Sequence, residues 1–190
     1  NVLIVRGDQP EIEGFQAHPE SYQHASDLIP HVKEKYPFCV GVAGYPEGHK
    51  SAESREKDWE YLQQKTDKGA DFIVTNYTYD NENYFALVKK MREVGIEKPI
   101  LPGVMPIFSV KMMNSLAKLC GAAIPEKLQR GLAELPEDDK EALLQFGINY
   151  AVEQCRELIE FGVPGLHFYT MDKSKSCLGI VQKLREEGLV

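Results

Sequence analysis

The sequence predicts an α/β fold with parallel strands. Five short apolar runs are each followed by polar or conformationally special residues, and then by a helix-like stretch. Repeated strand–helix units of this kind are typical of parallel sheets, which gather their chemistry at the carboxyl ends of the strands. The residues just after each run are therefore candidates for one common site. The runs span residues 2–5, 38–44, 72–75, 100–104 and 166–169.

The predicted helices have recognisable ends. Ser21 is a capping residue for the first helix, and Pro30 within that helix predicts a kink or an early stop. Gly69 and Gly95 are suited to end the second and third helices. The segment from 9 to 20 is longer than an ordinary connection, which favours a binding loop or lid. The predicted helices span 21–35, 53–68, 82–94, 109–120, 126–134, 138–161 and 175–187.

Five strands leave two topologies open. A (β/α)8 barrel needs eight strands and about 200–250 residues or more, whereas this chain has 190 residues. An open, doubly wound nucleotide-binding sheet usually carries G-x-G-x-x-G after its first strand, and the sequence has none. The pattern therefore predicts either an open sheet without that fingerprint or part of a barrel.

Composition favours a single globular domain. The net charge of −7 argues weakly against sequence-independent nucleic-acid binding. No apolar stretch approaches the roughly 18–20 residues that a membrane span needs, and no signal peptide is evident. We therefore expect a cytoplasmic protein with neither a nucleic-acid nor a membrane partner. The cysteines are far apart, which favours reduced thiols and argues against a zinc site. They are Cys39, Cys120, Cys155 and Cys177.

Five sequence blocks, in order along the chain, carry a resemblance to a known family. They are RGD at 6–8, VAGYPEGH at 42–49, KxxxGADFIVT at 65–75, PGVMPI at 102–107 and PGLHFYT at 164–170. Together they resemble the methylenetetrahydrofolate reductases. Their residues are more similar to those of the eukaryotic catalytic domains than to those of the short bacterial enzymes. The resemblance implies a (β/α)8 TIM barrel of the FAD-linked oxidoreductase type. This chain matches strands four to eight of it, as one partial catalytic domain over 1–190 with about five βα units and no regulatory domain.

The resemblance also implies an activity. The family reduces 5,10-methylenetetrahydrofolate to 5-methyltetrahydrofolate, with NAD(P)H as the donor and FAD as the carrier of the hydride. Implied partners are the folate substrate and either further copies of the chain or the missing part of the barrel. The family's general acid is a glutamate on the first barrel strand, which lies outside the match. We therefore expect the chain to be incomplete for turnover by itself.

The family match assigns cofactor-binding residues at the ends of the first two strands. Arg6, Gly7 and Asp8 correspond to a flavin-binding motif, and Asp8 is also the catalytic candidate because a carboxylate there opposes excess negative charge on the reduced flavin. His24 and Ala25 align with a tyrosine-alanine pair that covers the flavin, so Ala25 matches the family and His24 replaces the tyrosine. From residue types alone, Arg6 and Asp8 fit a surface ion pair equally well.

The same match assigns four further cofactor-binding residues. Tyr45 and His49 bracket a Gly/Pro-containing turn that lies against the flavin or adenosine in the family. Asp58 and Lys65 are seven residues apart and share a helix face, which meets the adenosine and diphosphate of FAD. Without the match, this face is an ordinary solvated charged surface. Gln64 stands where the bacterial pattern often has arginine, which implies less positive charge near the diphosphate.

Three residues are candidates for binding the folate substrate. Asn76 stands where the family usually has glutamine, with the same amide on a shorter stem. Phe108 is a candidate stacking aromatic, with core packing an equal alternative. Lys173 replaces an arginine that faces the glutamate tail of folate, and so keeps the charge without the bidentate fork.

Two alternative functions remain open at this stage. One is a noncatalytic paralogue or fragment that associates with a full-length reductase subunit through open strand edges. The other is an unrelated α/β enzyme that uses Lys65 or Lys173 as a Schiff-base nucleophile.

Overall fold

A computed structural model describes residues 1–7, 10 and 12–190 as an α/β fold built on one parallel sheet. Neighbouring strands in the sheet are also neighbours in the sequence, so the order is β1-β2-β3-β4-β5. An open, doubly wound sheet reverses direction at a switch point, whereas this order continues in one direction, as in a barrel. The partial-barrel prediction is confirmed and the open doubly wound alternative is wrong. The strands are β1 (Val2–Ile4), β2 (Val40–Gly44), β3 (Phe72–Tyr77), β4 (Ile100–Val104) and β5 (His167–Phe168).

Seven helices connect and follow these strands in the described part of the chain. The strand at 100–104 lies where the sequence predicts it, and so do the helix ends at residues 35, 120 and 161. Four further boundaries, at residues 2, 44, 72 and 126, also match, and the rest differ by a few residues. Ser54 and Ser109 cap α2 and α4 by accepting hydrogen bonds from backbone amides. The helices are α1 (Ala25–Lys35), α2 (Arg55–Asp67), α3 (Asn81–Glu93), α4 (Val110–Cys120), α5 (Glu126–Ala133), α6 (Lys140–Phe161) and α7 (Ser174–Glu186). None of them has the length and hydropathy that crossing a membrane requires.

The first helix differs from its prediction at Ser21 and at Pro30. It begins at Ala25 instead of just after Ser21, because the backbone amide of His24 donates to the carboxylate of Asp27 and closes the N-terminus there. Pro30 does not stop it, and the helix continues to Lys35. Pro30 is exposed, whereas its neighbour Ile29 is fully buried against the sheet. Packing of the apolar face therefore outweighs the hydrogen bond that proline removes.

Two apolar clusters fill the interior of the described residues. The larger one lies between the sheet and the helices that cover it, with Ile73, Ile100 and Ile180 at its centre. The smaller one lies beyond the carboxyl ends of β3 and β4, where Tyr77 and Met105 pack under α4 and α5. This second cluster fixes the loops that leave those two strands.

Both edges of the sheet lack a second strand partner within the described residues. Leu3 and Val5, at the β1 edge, are 45% and 57% exposed. β5, at the other edge, pairs through only two residues. An apolar groove beside β5 is lined by residues that include Leu166, Phe168 and Leu184. Exposed edges and apolar surface of this kind favour association with further strands.

Gly103 in β4 lies between β3 and β5, where there is no room for a side chain. The backbone amide of Gly103 donates to Thr75 Oγ1 at 3.0 Å, and Tyr169 Oη donates to the carbonyl of Thr75 at 2.9 Å. A Cβ at position 103 would lie 2.4 Å from that carbonyl oxygen and 2.6 Å from Tyr169 Cε2. A glycine is therefore required where the three strands meet.

We expect Gly103→Ala to lower the free energy of unfolding by about 1–3 kcal/mol, the usual cost of overpacking. Gly165→Ala is the matched control, because the nearest atom to a Cβ there is Leu101 Cδ2 at an ordinary 3.7 Å. Urea unfolding of the two variants measures the difference. Equal stability of both variants would contradict the close-approach argument.

The start of β2 is held to the start of β3 by Asp71. Its Oδ2 accepts from Lys33 Nζ at 2.9 Å and from the backbone amide of Val40 at 2.7 Å. The pKa of Asp71 is below its ordinary value, mainly because of the hydrogen bond from the amide of Val40 and secondly because of the one from Lys33. A lowered folded-state pKa means that this stabilisation is present above the unfolded-state pKa and is lost as the pH falls.

We expect Asp71→Asn to lower the free energy of unfolding by about 0.5–1 kcal/mol near neutral pH. The difference from the parent chain should shrink once the pH falls below about 4, where the unfolded carboxyl is protonated. Urea unfolding over a pH series measures it. Asp67→Asn, on the exposed end of α2, is the control, and a pH-independent difference for Asp71→Asn would contradict the argument.

Candidate functional site

One cavity, of about 530 Å³, opens at the carboxyl ends of β1 and β2. Its walls come from the segment after β1, the first turn of α1, the loop after β2, and one face of α2. It contains apolar surface, hydroxyls, imidazoles, three cations and two carboxylates. The lining residues are Ile4, Val5, Arg6, His24, Ala25, Ser26, Asp27, Ala43, Tyr45, His49, Ser51, Ala52, Asp58, Tyr61, Gln64, Lys65 and Lys68.

This cavity brings together most of the residues predicted to bind the cofactor. Gly7 is exposed next to Arg6 and does not line the cavity. Asp8, the catalytic candidate, lies outside the described residues. The predicted residues that line it are Arg6, His24, Ala25, Tyr45, His49, Asp58 and Lys65.

The loop after β2 presents Tyr45 and His49 as a preformed pair. Their rings meet edge to face, with centroids 4.8 Å apart. The backbone amide of Ser51 donates to His49 Nδ1 at 3.2 Å, which leaves Nε2 as the protonated nitrogen of the neutral ring. Gly48 between them has a φ of +84°, and a Cβ there would lie 2.9 Å from the Cα of Arg55. The turn therefore needs glycine in order to bring the two rings together.

Helix α2 places an acid and a base inside the cavity. Asp58 is only 6% exposed, and this burial raises its pKa against the opposing effects of Lys65 and His49. Lys65 Nζ donates to the carbonyl of Ala43 at 2.8 Å, and burial lowers its pKa against the opposing effect of Asp58. Both side chains line the cavity, as their spacing predicts. The ammonium of Lys65 is held by the backbone of β2, a contact that the sequence does not reveal.

Two charged residues of the cavity, Lys68 and Asp27, were not predicted. Lys68 Nζ lies 3.2 Å from Asp27 Oδ1, so an ion pair joins the end of α2 to the start of α1. Asp27 Oδ2 also accepts from the backbone amide of His24 at 3.1 Å. The position of Lys68, three residues after Lys65, could have indicated that both share a helix face. No signal in the sequence indicates that Asp27 is the partner.

Glu47 is a further residue whose role the sequence does not reveal. It lies in the turn between Tyr45 and His49, and both of its carboxylate oxygens accept hydrogen bonds from residues outside that turn. Oε1 accepts from Thr78 Oγ1 at 2.8 Å, and Oε2 accepts from the backbone amide of Ala123 at 2.7 Å. Glu47 thus ties the loop after β2 to the segment after β3 and to the connection between α4 and α5.

The three folate candidates lie outside the cavity, near the ends of later strands. Asn76 is half-buried in β3. Phe108 follows β4 and packs against the smaller apolar cluster, which is the packing alternative. Lys173 is exposed immediately before α7. Among the described residues, no group of three or more His, Cys, Asp or Glu is arranged to hold a metal ion.

Comparisons with known proteins identify the family. The family model for methylenetetrahydrofolate reductase matches residues 1–185. Methylenetetrahydrofolate reductase 1 of Schizosaccharomyces pombe is 39% identical over 97% of this chain and 31% of its own length. Methylenetetrahydrofolate reductase (NADH) 1 of Arabidopsis thaliana is 37% identical over 97% of this chain and 33% of its own length. The 5,10-methylenetetrahydrofolate reductase of Escherichia coli is 32% identical, over 97% of this chain and 60% of its own length.

A solved structure shows the same fold at lower sequence identity. It is a Clostridium thermocellum protein described as binding two copies of 5-methyl-5,6,7,8-tetrahydrofolic acid, with a TM-score of 0.57 and 17% identity over 92% of this chain and 66% of that one. The chain spans about a third of the length of the fungal and plant relatives. With eukaryotic relatives more similar than the bacterial one and nearly every residue covered by the family model, the chain belongs to the methylenetetrahydrofolate reductase family.

Proposed function

We propose that this chain contributes the flavin-binding part of a methylenetetrahydrofolate reductase. The reaction is the reduction of 5,10-methylenetetrahydrofolate to 5-methyltetrahydrofolate, with NAD(P)H as the donor and FAD as the cofactor. The observation that carries the proposal is the convergence of Arg6, Tyr45, His49 and the α2 pair on one cavity. Because the chain belongs to this family, the alternative of an unrelated Schiff-base enzyme is dropped.

The residues of the cavity fit FAD. Its volume of about 530 Å³ lies within the usual range for small-molecule sites, about 300–1,000 Å³. Ile4, Ala25 and Ala43 supply apolar surface for a flat ring system. Arg6 and the lysines of α2 supply positive charge for a diphosphate, in a chain whose net charge is −7. FAD, when bound, supplies the hydride-transfer chemistry.

The proposed roles of the protein residues are binding and orientation. The guanidinium of Arg6 offers planar donors to a flavin carbonyl or a phosphate. Tyr45 and His49 form an aromatic wall that excludes water from one side of the ring. Asp8 is proposed to add negative charge near the flavin and the pterin.

Folate is proposed to bind across the carboxyl ends of the later strands. Asn76 is near the end of β3, Phe108 follows β4 and Lys173 follows β5, so all three belong to the carboxyl ends of strands. The description of the Clostridium protein, which binds a tetrahydrofolate, supports a folate as the substrate. Relatives are named for NADH in Arabidopsis thaliana and for NADPH in Caenorhabditis elegans, so the donor is proposed only as NAD(P)H.

Turnover is proposed to need further βα units, in the same polypeptide or in another subunit. The five-stranded sheet has two unpaired edges, and no residue described here is assigned the role of the general acid. The exposed side chains of Leu3 and Val5 also favour a second candidate function, a noncatalytic subunit that associates with a full-length reductase through the β1 edge. Co-purification with a longer reductase chain, without flavin in this one, would favour that second function.

We expect the purified chain to bind FAD, detected by a shift and sharpening of the visible absorption band and by quenching of flavin fluorescence. Arg6→Ala should weaken binding by about tenfold, because a charged donor is lost from the cavity. Arg130→Ala, on the exposed face of α5 and away from the cavity, is the matched control. A parent chain that fails to bind FAD would overturn the proposed function.

Turnover is tested separately from FAD binding by adding NADH or NADPH and methylenetetrahydrofolate under anaerobic conditions and measuring the 5-methyltetrahydrofolate that is formed. We expect the chain by itself to show no catalytic reduction of methylenetetrahydrofolate. Multiple turnovers by the bare chain would contradict the proposal that further βα units are required.

We expect Glu47→Ala to lower the free energy of unfolding by about 1–2 kcal/mol, because Thr78 and the amide of Ala123 both lose an acceptor. FAD affinity should fall with it, since the turn that carries Tyr45 and His49 is released. Glu47→Gln keeps an acceptor oxygen and should retain most of both properties. Glu60→Ala, whose carboxylate pairs only at the surface with Lys57, is the control; an equal loss in Glu60→Ala would contradict the role of Glu47.

A further inference from the structure

The ion pair between Lys68 and Asp27 lies in the wall of the cavity and is open to solvent. The two side chains are 41% and 38% exposed, and their charged atoms are 3.2 Å apart. An exposed pair of this kind is weak and is readily exchanged for another partner. Neither residue belongs to the set that the family resemblance assigns to the cofactor.

The cations of the cavity differ in how firmly they are already held. Lys65 is half-buried and its Nζ donates to the carbonyl of Ala43, so its position is fixed by β2. Lys68 is the capping residue that follows α2, about one helical turn beyond Lys65, and it is exposed. The side chain of Lys68 is long, flexible and exposed, so its ammonium can move to meet a ligand more easily than that of Lys65.

Asp27 can give up Lys68 without losing its structural role. Its Oδ2 accepts from the backbone amide of His24 and so helps to close the N-terminus of α1. Its Oδ1 is the atom that faces Lys68. Breaking the ion pair thus leaves the cap of α1 in place.

We propose that Lys68 exchanges Asp27 for the diphosphate of the bound dinucleotide, and that Asp27 acts as the competing anion that holds Lys68 in the ligand-free state. This inference rests on the proposed flavin-binding function and deepens it, because it assigns the diphosphate a partner on α2. Lys68 provides this positive charge one turn beyond Gln64, the position at which the sequence lacks an arginine. A phosphate and a carboxylate compete for the same ammonium, because the two anions repel each other when both lie beside it.

The exchange predicts opposite effects from two variants that break the same ion pair. Lys68→Gln should weaken FAD and ADP binding about three- to fivefold, because the phosphate partner is lost. Asp27→Asn should tighten both about two- to threefold, because the competing charge is removed while an acceptor for the amide of His24 remains. Riboflavin has no phosphate, so neither variant should change its affinity. Fluorescence and calorimetric titrations of the full 190-residue chain measure all three ligands.

Lys57→Gln is the matched control, because Lys57 is on the same helix, pairs with Glu60 and does not line the cavity. Thermal unfolding of each variant checks that the fold is kept. Weaker FAD binding in both Lys68→Gln and Asp27→Asn would mean that the pair only holds the wall together, and would overturn the exchange. Unchanged binding in both variants would overturn it as well. These results leave the flavin function standing, whereas a parent chain that binds neither FAD nor riboflavin would overturn the function itself.

Discussion

Two hydrogen bonds from α2 to the backbone at the end of β2 hold the candidate site in shape. Trp59 Nε1 donates to the carbonyl of Tyr45 at 3.0 Å, and Lys65 Nζ donates to the carbonyl of Ala43 at 2.8 Å. The carboxyl end of a parallel strand leaves carbonyl groups without strand partners, and buried carbonyls need donors. Because the same helix satisfies both groups, the strand end, the aromatic turn and the charged face of α2 are fixed relative to one another.

That arrangement explains why a half-buried lysine is compatible with a stable fold. Burial disfavours the charged form of Lys65, which is why its pKa is lowered. The carbonyl of Ala43 and the nearby carboxylate of Asp58 offset part of that cost. Asp58 is buried, which raises its pKa, and Lys65 and His49 offset part of that rise by stabilising its charged form. An acid and a base that each depend on the other's charge are a frequent property of binding sites.

The sequence predicted the strands well because strands of a parallel sheet are short, buried and apolar. Residues 100–104 are β4 in the structure, as predicted. The periodicity could not distinguish an open sheet from a partial barrel, since both use the same strand–helix unit and differ only in the order of strands across the sheet. The start of α1 was misplaced because its N-terminus is closed by Asp27 from within the helix and not by Ser21. The capping preference of serine is a local tendency, and a competing local cap replaced it.

The sequence indicated which residues meet at the cavity where they follow a strand or share a helix face, and it did not indicate contacts that join distant segments. Tyr45 and His49 come straight after β2, so the parallel fold itself brings them to the cavity. The partners of Lys68 and Glu47 are 41 and at least 31 positions away in the sequence. Such contacts depend on how helices and loops pack, which no local pattern encodes.

The cavity is built by two adjacent βα units, whereas the folate candidates are spread over the ends of three later strands. A site made by neighbouring units forms as soon as β1 and β2 pair and α2 packs on them, so it does not need a closed barrel. A site spread over several strand ends depends on the relative positions of all of them, and hence on the curvature that closure imposes. The proposed flavin binding and the proposed turnover therefore have different structural requirements. The first would need only the β1–α2 segment, and the second would need further strands at the two open edges of the sheet.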